Sequence, residues 1–265
     1  MKIYDCFPFF NELDLLEIRL NTLNDVVDYF VISECTHTFT GKEKELHFQN
    51  NAKRFEKFKN KIIYNIVVDS PPNYSTGARE IFQKNAIIRS LVKCNDDDII
   101  LISDIDEIAN PDRIPEVSKQ VTQNSLHVLK QNFYYYYLNN FIEEDYFGTK
   151  KWNGTRICSY WLFKQANVNN IRNPQQIGMK PVEIYDGGWH FSFLGGKEKI
   201  LEKLDAYAHQ EYNNEKIRNA VEKNMETFDQ DLFFRKMTAK TVPIDSSYPK
   251  YLVENLDKYM HLVRK

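Results

Sequence analysis

The chain has 265 residues, of which 42% are apolar and 27% charged, with a net charge of −2. That is the balance of one sizeable α/β domain with a substantial core, and it supplies no positive field to draw nucleic acid or an anionic membrane. The opening M-K-I-Y-D-C is too polar for a signal peptide and no apolar run reaches membrane-spanning length; Cys6, Cys35, Cys94 and Cys158 stand far apart with no C-x-x-C pair, so a cytoplasmic protein with reduced, structural thiols is expected.

In chain order, residues 2–7 read as a first strand, and residues 12–23 carry Leu13, Leu16, Leu20 and Leu23 at helical spacing. Residues 29–33 (Y-F-V-I-S) predict a second strand ending at Glu34, followed by a polar loop with Gly41. A short basic helix is expected over 52–59, a third strand over 62–68, and a loop through Pro71, Pro72 and Gly77. Residues 78–92 predict a long helix whose buried side carries Ile81, Ala86, Ile88 and Leu91. Strands alternating with helices through the first hundred residues argue for βαβ units and a mostly parallel sheet flanked by helices.

The next strand organises the rest. Ile99, Ile100, Leu101 and Ile102 form a short β-branched run suited to burial on both faces. At its carboxyl end come Asp104, Asp106 and Glu107. Side chains two apart in an extended segment point the same way, so Asp104 and Asp106 can face one point. Open α/β sheets take ligands at the carboxyl ends of their strands. Two carboxylates there need a cation between them, and Mg²⁺ or Mn²⁺ also accepts phosphate oxygens. A metal–diphosphate site is therefore expected, with Asp104 and Asp106 as ligands. The plain alternative is a solvated acidic loop.

Beyond this point the pattern changes. A short helix is expected over 112–121, and strands over 126–138 (with F-Y-Y-Y-Y) and 152–163. Residues 167–180 read as loop, 185–193 as a turn into a strand, 197–208 as a helix, and the remaining chain as a mostly helical tail with charged stretches at 211–226 and 229–236. One compact domain is expected, 1–265, with 1–111 binding a nucleotide, 112–210 shaping the acceptor side and 211–265 forming the tail.

Further candidates surround the acidic strand. His190 lies in G-G-W-H-F-S, and a neutral imidazole suits Mn²⁺ beside carboxylates, although a lone histidine is more often a core residue. Gly196 and Lys197 open a helix, where free N–H groups and a point charge bind phosphate. Arg79 and Gln83 sit one turn apart on the helix feeding the acidic strand, where Arg79 can pair with phosphate or simply face water. Glu34 can accept hydrogen bonds from a base or ribose, or be solvated. Asp186 is the leading carboxylate for deprotonating an acceptor hydroxyl, with Glu183, Glu144 and Asp145 open as alternatives. The aromatic strands, with Trp152, Trp161 and Trp189, can line a cleft with flat faces or fill core.

Several ordered blocks resemble a known family. D-C-F-P-F-F-N-E-L-D-L-L-E-I-R-L, V-V-D-Y-F-V-I-S-E, T-F-T-G-K, S-D-I-D-E-I and D-G-G-W-H-F-S, spread over residues 1–209, are similar to glycosyltransferase family 17. The resemblance implies a GT-A type nucleotide-sugar-binding fold, a divalent metal, a UDP-sugar donor and inversion at the anomeric carbon. The family's animal enzyme adds a bisecting N-acetylglucosamine to N-glycans, which makes UDP-GlcNAc the expected donor and a glycan or glycoconjugate the expected acceptor. Asp104 and Asp106 match its metal motif, and Asp186, Trp189 and His190 match the later block. A microbial or viral relative without the animal enzyme's membrane anchor and stem is expected, so the bisecting acceptor is not carried over. The competing readings are a nucleotidyltransferase making the nucleotide-sugar, and a non-catalytic nucleotide- or carbohydrate-binding module. The first of these expects a Gly-rich phosphate loop where F-P-F-F-N-E stands.

Overall fold

A computed structural model of the chain describes residues 1–145, 147–223, 232 and 235–265. Its first half is a parallel sheet. Strand β1 (Ile3–Phe9) leads into helix α1 (Leu13–Leu23), then β2 (Tyr29–Cys35), a one-turn helix α2 (His47–Asn50) and β3 (Ile62–Val67). Helix α3 (Thr76–Asn85) returns the chain to β4 (Ile99–Ile102). β1 lies between β2 and β4, with β3 outside β2, all parallel. Alternation divides these strands between two cores. Phe7, Phe30, Ile32, Ile99 and Leu101 meet Leu16, Leu20 and Leu23 of α1 on one face. Cys6, Val31, Ile100 and Ile102 form the other face. β4 is thus buried on both sides, as its unbroken apolar run requires.

The second half is largely antiparallel. It contains β5 (Glu107–Ala109), α4 (Ile114–Ser118), β6 (Leu126–Tyr135), β7 (Asn140–Glu144) and β8 (Trp152–Ser159). Then follow α5 (Tyr160–Arg172), β9 (Val182–Ile184), β10 (Gly188–Ser192) and α6 (Gly196–Ala206). β8 pairs antiparallel with both β4 and β6, and β7 continues from β6. β10 inserts between β5, antiparallel, and β6, parallel. Among the described residues five strand pairings are parallel and five antiparallel, so a mostly parallel sheet describes the first half alone.

Three departures from the periodicity have local causes. The strand expected to run to residue 163 stops at Ser159, whose hydroxyl accepts the Leu162 amide at 3.2 Å and caps α5. The segment expected as loop after residue 167 continues that helix to Arg172, across a kink at Asn167 with φ 60°. The long helix expected over 78–92 is α3 followed by a 3₁₀ turn, and Ile81 and Ile88 face solvent while Arg79 and Gln83 are buried.

The tail is not uniformly helical. Helix α7 (Glu215–Lys223) is followed by β11 (Thr238–Thr241), which extends the sheet beside β7. Most of the charged stretch at 229–236 lies outside the described residues. Helix α8 (Lys250–Glu254) and a 3₁₀ turn over Leu256–Leu262 pack Leu252, Tyr259 and Leu262 against Leu15 and Ile18 of α1. Among the described residues no helix is long and apolar enough to cross a membrane.

Candidate active site

Two hollows adjoin one another among the described residues, and the larger of this pair, of about 360 Å³, opens at the carboxyl ends of β1, β2 and β4, lined by Phe9, Cys35, Gln83, Lys84, Asp104, Asp106, His190 and Lys203. Its floor is the turn from β4 into β5. That turn is held from below by Arg19, which is 0% exposed on the core face of α1. Its guanidinium donates to both Asp5 carboxylate oxygens at 2.8 and 2.6 Å and to the Ser103 hydroxyl at 2.6 Å. It also donates to the carbonyls of Asp104, Ile105 and Glu107 at 3.0, 3.3 and 2.9 Å. A planar five-donor fork suits this task, because one rigid group fixes both the strand and the turn that leaves it.

The two aspartates reach the hollow but answer to different cations. Asp104 pairs with Lys84 of α3 and Arg172 at the end of α5, each at 3.0 Å. Asp106 lies 3.6 Å from His190 Nε2 and 3.4 Å from Lys203 Nζ. Glu107 is buried beneath them, accepting from Trp152 Nε1 at 2.8 Å and from both terminal nitrogens of Arg172. β10 delivers His190 opposite Glu107, and its ring stacks between Trp152 at 4.3 Å and Phe133 at 4.9 Å. Of the three tryptophans, Trp152 lines the hollow, whereas Trp189 and Trp161 pack into core.

Burial pushes the Asp106 carboxyl up, but Lys203 and then His190 outweigh it and bring it down to about 2. Burial likewise raises Asp104, and Lys84 and Arg172 more than reverse it, so it too titrates below the ordinary range. A depressed carboxylate contributes stability above its unfolded value near 3.8 and loses it as pH falls through the folded value. Acid titration followed by near-UV circular dichroism is therefore expected to show the site intact at pH 5, with loss beginning below about pH 4.

The remaining candidates take these places. Gln83 lines the hollow and donates to the His37 carbonyl at 3.0 Å. Arg79 donates to the carbonyls of Phe39 and Pro72 at 2.8 and 3.0 Å, with its guanidinium against Gly41. Glu34 is fully buried, with both oxygens occupied by Lys44, the His47 and Phe48 amides and the Tyr64 hydroxyl. Arg79, Gln83 and Glu34 therefore brace the loop over residues 36–46 that forms one wall, and Glu34 has no lone pair left for a base or ribose.

Gly195 and Gly196, both at positive φ, start α6 as the glycine pair suggested, but Lys197 is exposed and lines neither hollow. The cation that α6 presents to the larger hollow is Lys203, six residues on and roughly two-thirds of a turn away around the axis. Asp186 sits before the far end of β10, on the order of 10 Å from His190 along the strand. Its side chain is 73% exposed and pairs with Arg113 at 3.1 Å, and it lines neither hollow.

Sequence reading assigned no site role to Arg19, Lys84, Arg172 or Lys203, and named Glu107 without one. A signal existed for Arg19, a charge on the leucine-rich face of α1, and for Glu107, the third acid of its motif. Arg172 had none, because its segment read as loop.

The expected three-ligand metal set is not assembled. Among the described residues no three of His, Cys, Asp and Glu come together as a metal-holding group, because Asp104 turns toward Lys84 and Arg172. Asp106 and His190 do fit a divalent ion. A carboxylate and the imidazole Nε2, 3.6 Å apart on the wall of the hollow, are a donor pair such ions take.

Comparison with known proteins supplies the family. Part of the chain is similar to β-1,4-mannosyl-glycoprotein 4-β-N-acetylglucosaminyltransferase of Rattus norvegicus (28% identical over 122 residues) and of Homo sapiens (30% over 113 residues). The aligned parts are 43% and 39% of this chain but only 22% and 21% of those relatives' own lengths. The solved 4-diphosphocytidyl-2C-methyl-D-erythritol synthase matches with a TM-score of 0.42 and 10% identity, over 69% of this chain and 88% of that one; at that distance it informs neither chemistry nor substrate. The family model for glycosyltransferase family 17 matches residues 1–264, so the likeness extends through the tail that the sequence blocks left unassigned. The chain belongs to glycosyltransferase family 17.

Proposed function

We propose that the chain transfers N-acetylglucosamine from UDP-GlcNAc to a hydroxyl of a glycan or glycoconjugate, with inversion and with Mn²⁺ or Mg²⁺ as cofactor. One observation carries this reading. At the strand-end hollow Lys84 and Lys203 stand beside Asp104 and Asp106, with Arg172 pairing Asp104 from outside the lining, so fixed cations offset the acids where a diphosphate would otherwise be repelled. Lys203 and Lys84 hold the two phosphates and stabilise the charge that builds on departing UDP. Arg172 and Glu107 keep Asp104 in place, and the Trp152–His190–Phe133 stack stiffens the wall beneath it. When bound at Asp106 and His190, the divalent ion supplies Lewis-acid stabilisation of the leaving diphosphate.

Thermal unfolding in the presence of UDP-, GDP- and CDP-sugars, each with MnCl₂ or EDTA, tests the donor. A ligand at ~100-fold its Kd adds about 2.7 kcal/mol to the native state, or roughly 5–10 °C for a chain of this size. UDP-GlcNAc with Mn²⁺ is expected to give that shift and EDTA to reduce it. A panel in which no nucleotide-sugar moves the midpoint removes the reading.

A further inference from the structure

The larger hollow does not end at Lys203. A second hollow of about 230 Å³ adjoins it, and the two share Glu12, Asp106, Phe193 and Lys203 as walls. The second one is built from the start of α1, the start of α6 and the end of the chain, and mixes apolar with polar groups: Phe191, Leu194 and Leu262 beside Asn11 and Lys199. Flat or branched apolar faces with a few polar side chains are the surface a sugar ring takes. Its volume is below that of a pocket for a drug-sized ligand, which suits one ring of a longer saccharide whose remainder stays in solvent.

Four carboxylates border the hollow proposed for the donor, and three are engaged. Asp104 is held by Lys84 and Arg172, Asp106 by Lys203 and His190, and Glu80 by Lys84 at 3.0 Å. In the second hollow Asp14 is held by Arg54 and His261. Glu12 makes no ion pair among the described residues; one oxygen accepts the Asn11 amide at 3.0 Å. It sits at the N-terminal boundary of α1 and makes no capping hydrogen bond with its side chain. Glu12 and Lys203 both stand on the wall common to the two hollows.

We propose that the second hollow binds the acceptor saccharide and that Glu12 is the catalytic base at the junction. This rests on the glycosyltransferase reading of the first hollow. The acceptor hydroxyl gives its proton to a Glu12 carboxylate oxygen while its oxygen forms the new bond to the anomeric carbon. The bond from that carbon to the phosphate oxygen breaks, and its electron pair leaves on UDP. The single displacement inverts the centre, and Glu12 later returns its proton to water.

The test uses the full chain with UDP-GlcNAc, MnCl₂ and a panel of methyl glycosides, reading UDP release and, by isothermal titration calorimetry, donor affinity. Glu12→Gln is expected to lower turnover at least 100-fold with donor affinity within about threefold of wild type. Sodium formate, small enough to enter the vacated space, is expected to restore part of the turnover of Glu12→Ala. Leu194→Trp, which fills the second hollow, is expected to raise the KM for the glycoside at least tenfold with donor affinity unchanged. Turnover of Glu12→Gln within threefold of wild type overturns the base. A wild-type glycoside KM in Leu194→Trp overturns the acceptor placement. Both of those results leave the donor site standing. A wild-type chain that neither binds nor cleaves any nucleotide-sugar overturns the donor reading and this one with it.

Discussion

Asp106→Asn is expected to lower kcat/KM for sugar transfer by about 10³-fold or more, a loss of about 4 kcal/mol of transition-state stabilisation. Asp106 meets both Lys203 and His190, and it stands on the wall common to both hollows. Asparagine keeps the shape and removes the charge. Lys203 then has no acid at 3.4 Å to orient it, and the pair that fits a divalent ion loses its anionic member. The fold is expected to survive, because Lys203 is 29% exposed and can turn its ammonium into water. Steady-state kinetics beside a urea melt check both halves. Activity within tenfold of wild type would remove Asp106 from the reaction; a melt shifted by more than about 3 kcal/mol would make the loss structural.

Arg19→Met carries the largest expected effect on stability. It removes six hydrogen bonds at once and leaves Asp5 buried, charged and alone. Breaking one partner of a buried pair costs about 3–5 kcal/mol, which for a chain of this size lowers Tm by roughly 6–20 °C. The double variant Asp5→Leu with Arg19→Met separates two roles of the same arginine. An apolar pair of similar volume is often neutral to stability, so much of the melting temperature is expected to return. Activity is not, because the carbonyls of Asp104, Ile105 and Glu107 still lack the donor that sets the turn. Full recovery of activity in the double variant would show that the site needs only a stable core beneath it.

Much of the parallel half was legible without coordinates. The leucines of α1, the Y-F-V-I-S strand and the Ile99–Ile102 run announce themselves because burial on a helix face, or on both faces of a strand, leaves a period in the chain. The same periodicity placed Asp104 and Asp106 after a central strand and His190 in another. The structure brings all three to one hollow. Periodicity failed where one capping residue changed the element. Ser159 turned an expected strand into α5, and with that change Arg172 moved from an expected loop to the side of Asp104.

Charge pairing was the other gap. Glu34, Arg79 and Asp186 have the right chemistry for a ligand and stand near the right motifs. What a carboxylate or guanidinium does depends on which donors and acceptors the fold places within hydrogen-bond reach. For Glu34 these are four groups of the chain itself, for Arg79 two backbone carbonyls, and for Asp186 a half-buried arginine. Lys203 reaches Asp106 across 97 positions of sequence and Arg172 reaches Asp104 across 68. The amino-acid sequence by itself determined the family, the buried strands and the acidic turn, because each is written in residues close together in the chain. Which cations face those acids, and which carboxylate stands between the two hollows, only the tertiary structure decided. Coulombic pairing acts over a few ångströms of space and leaves no regular spacing along the chain.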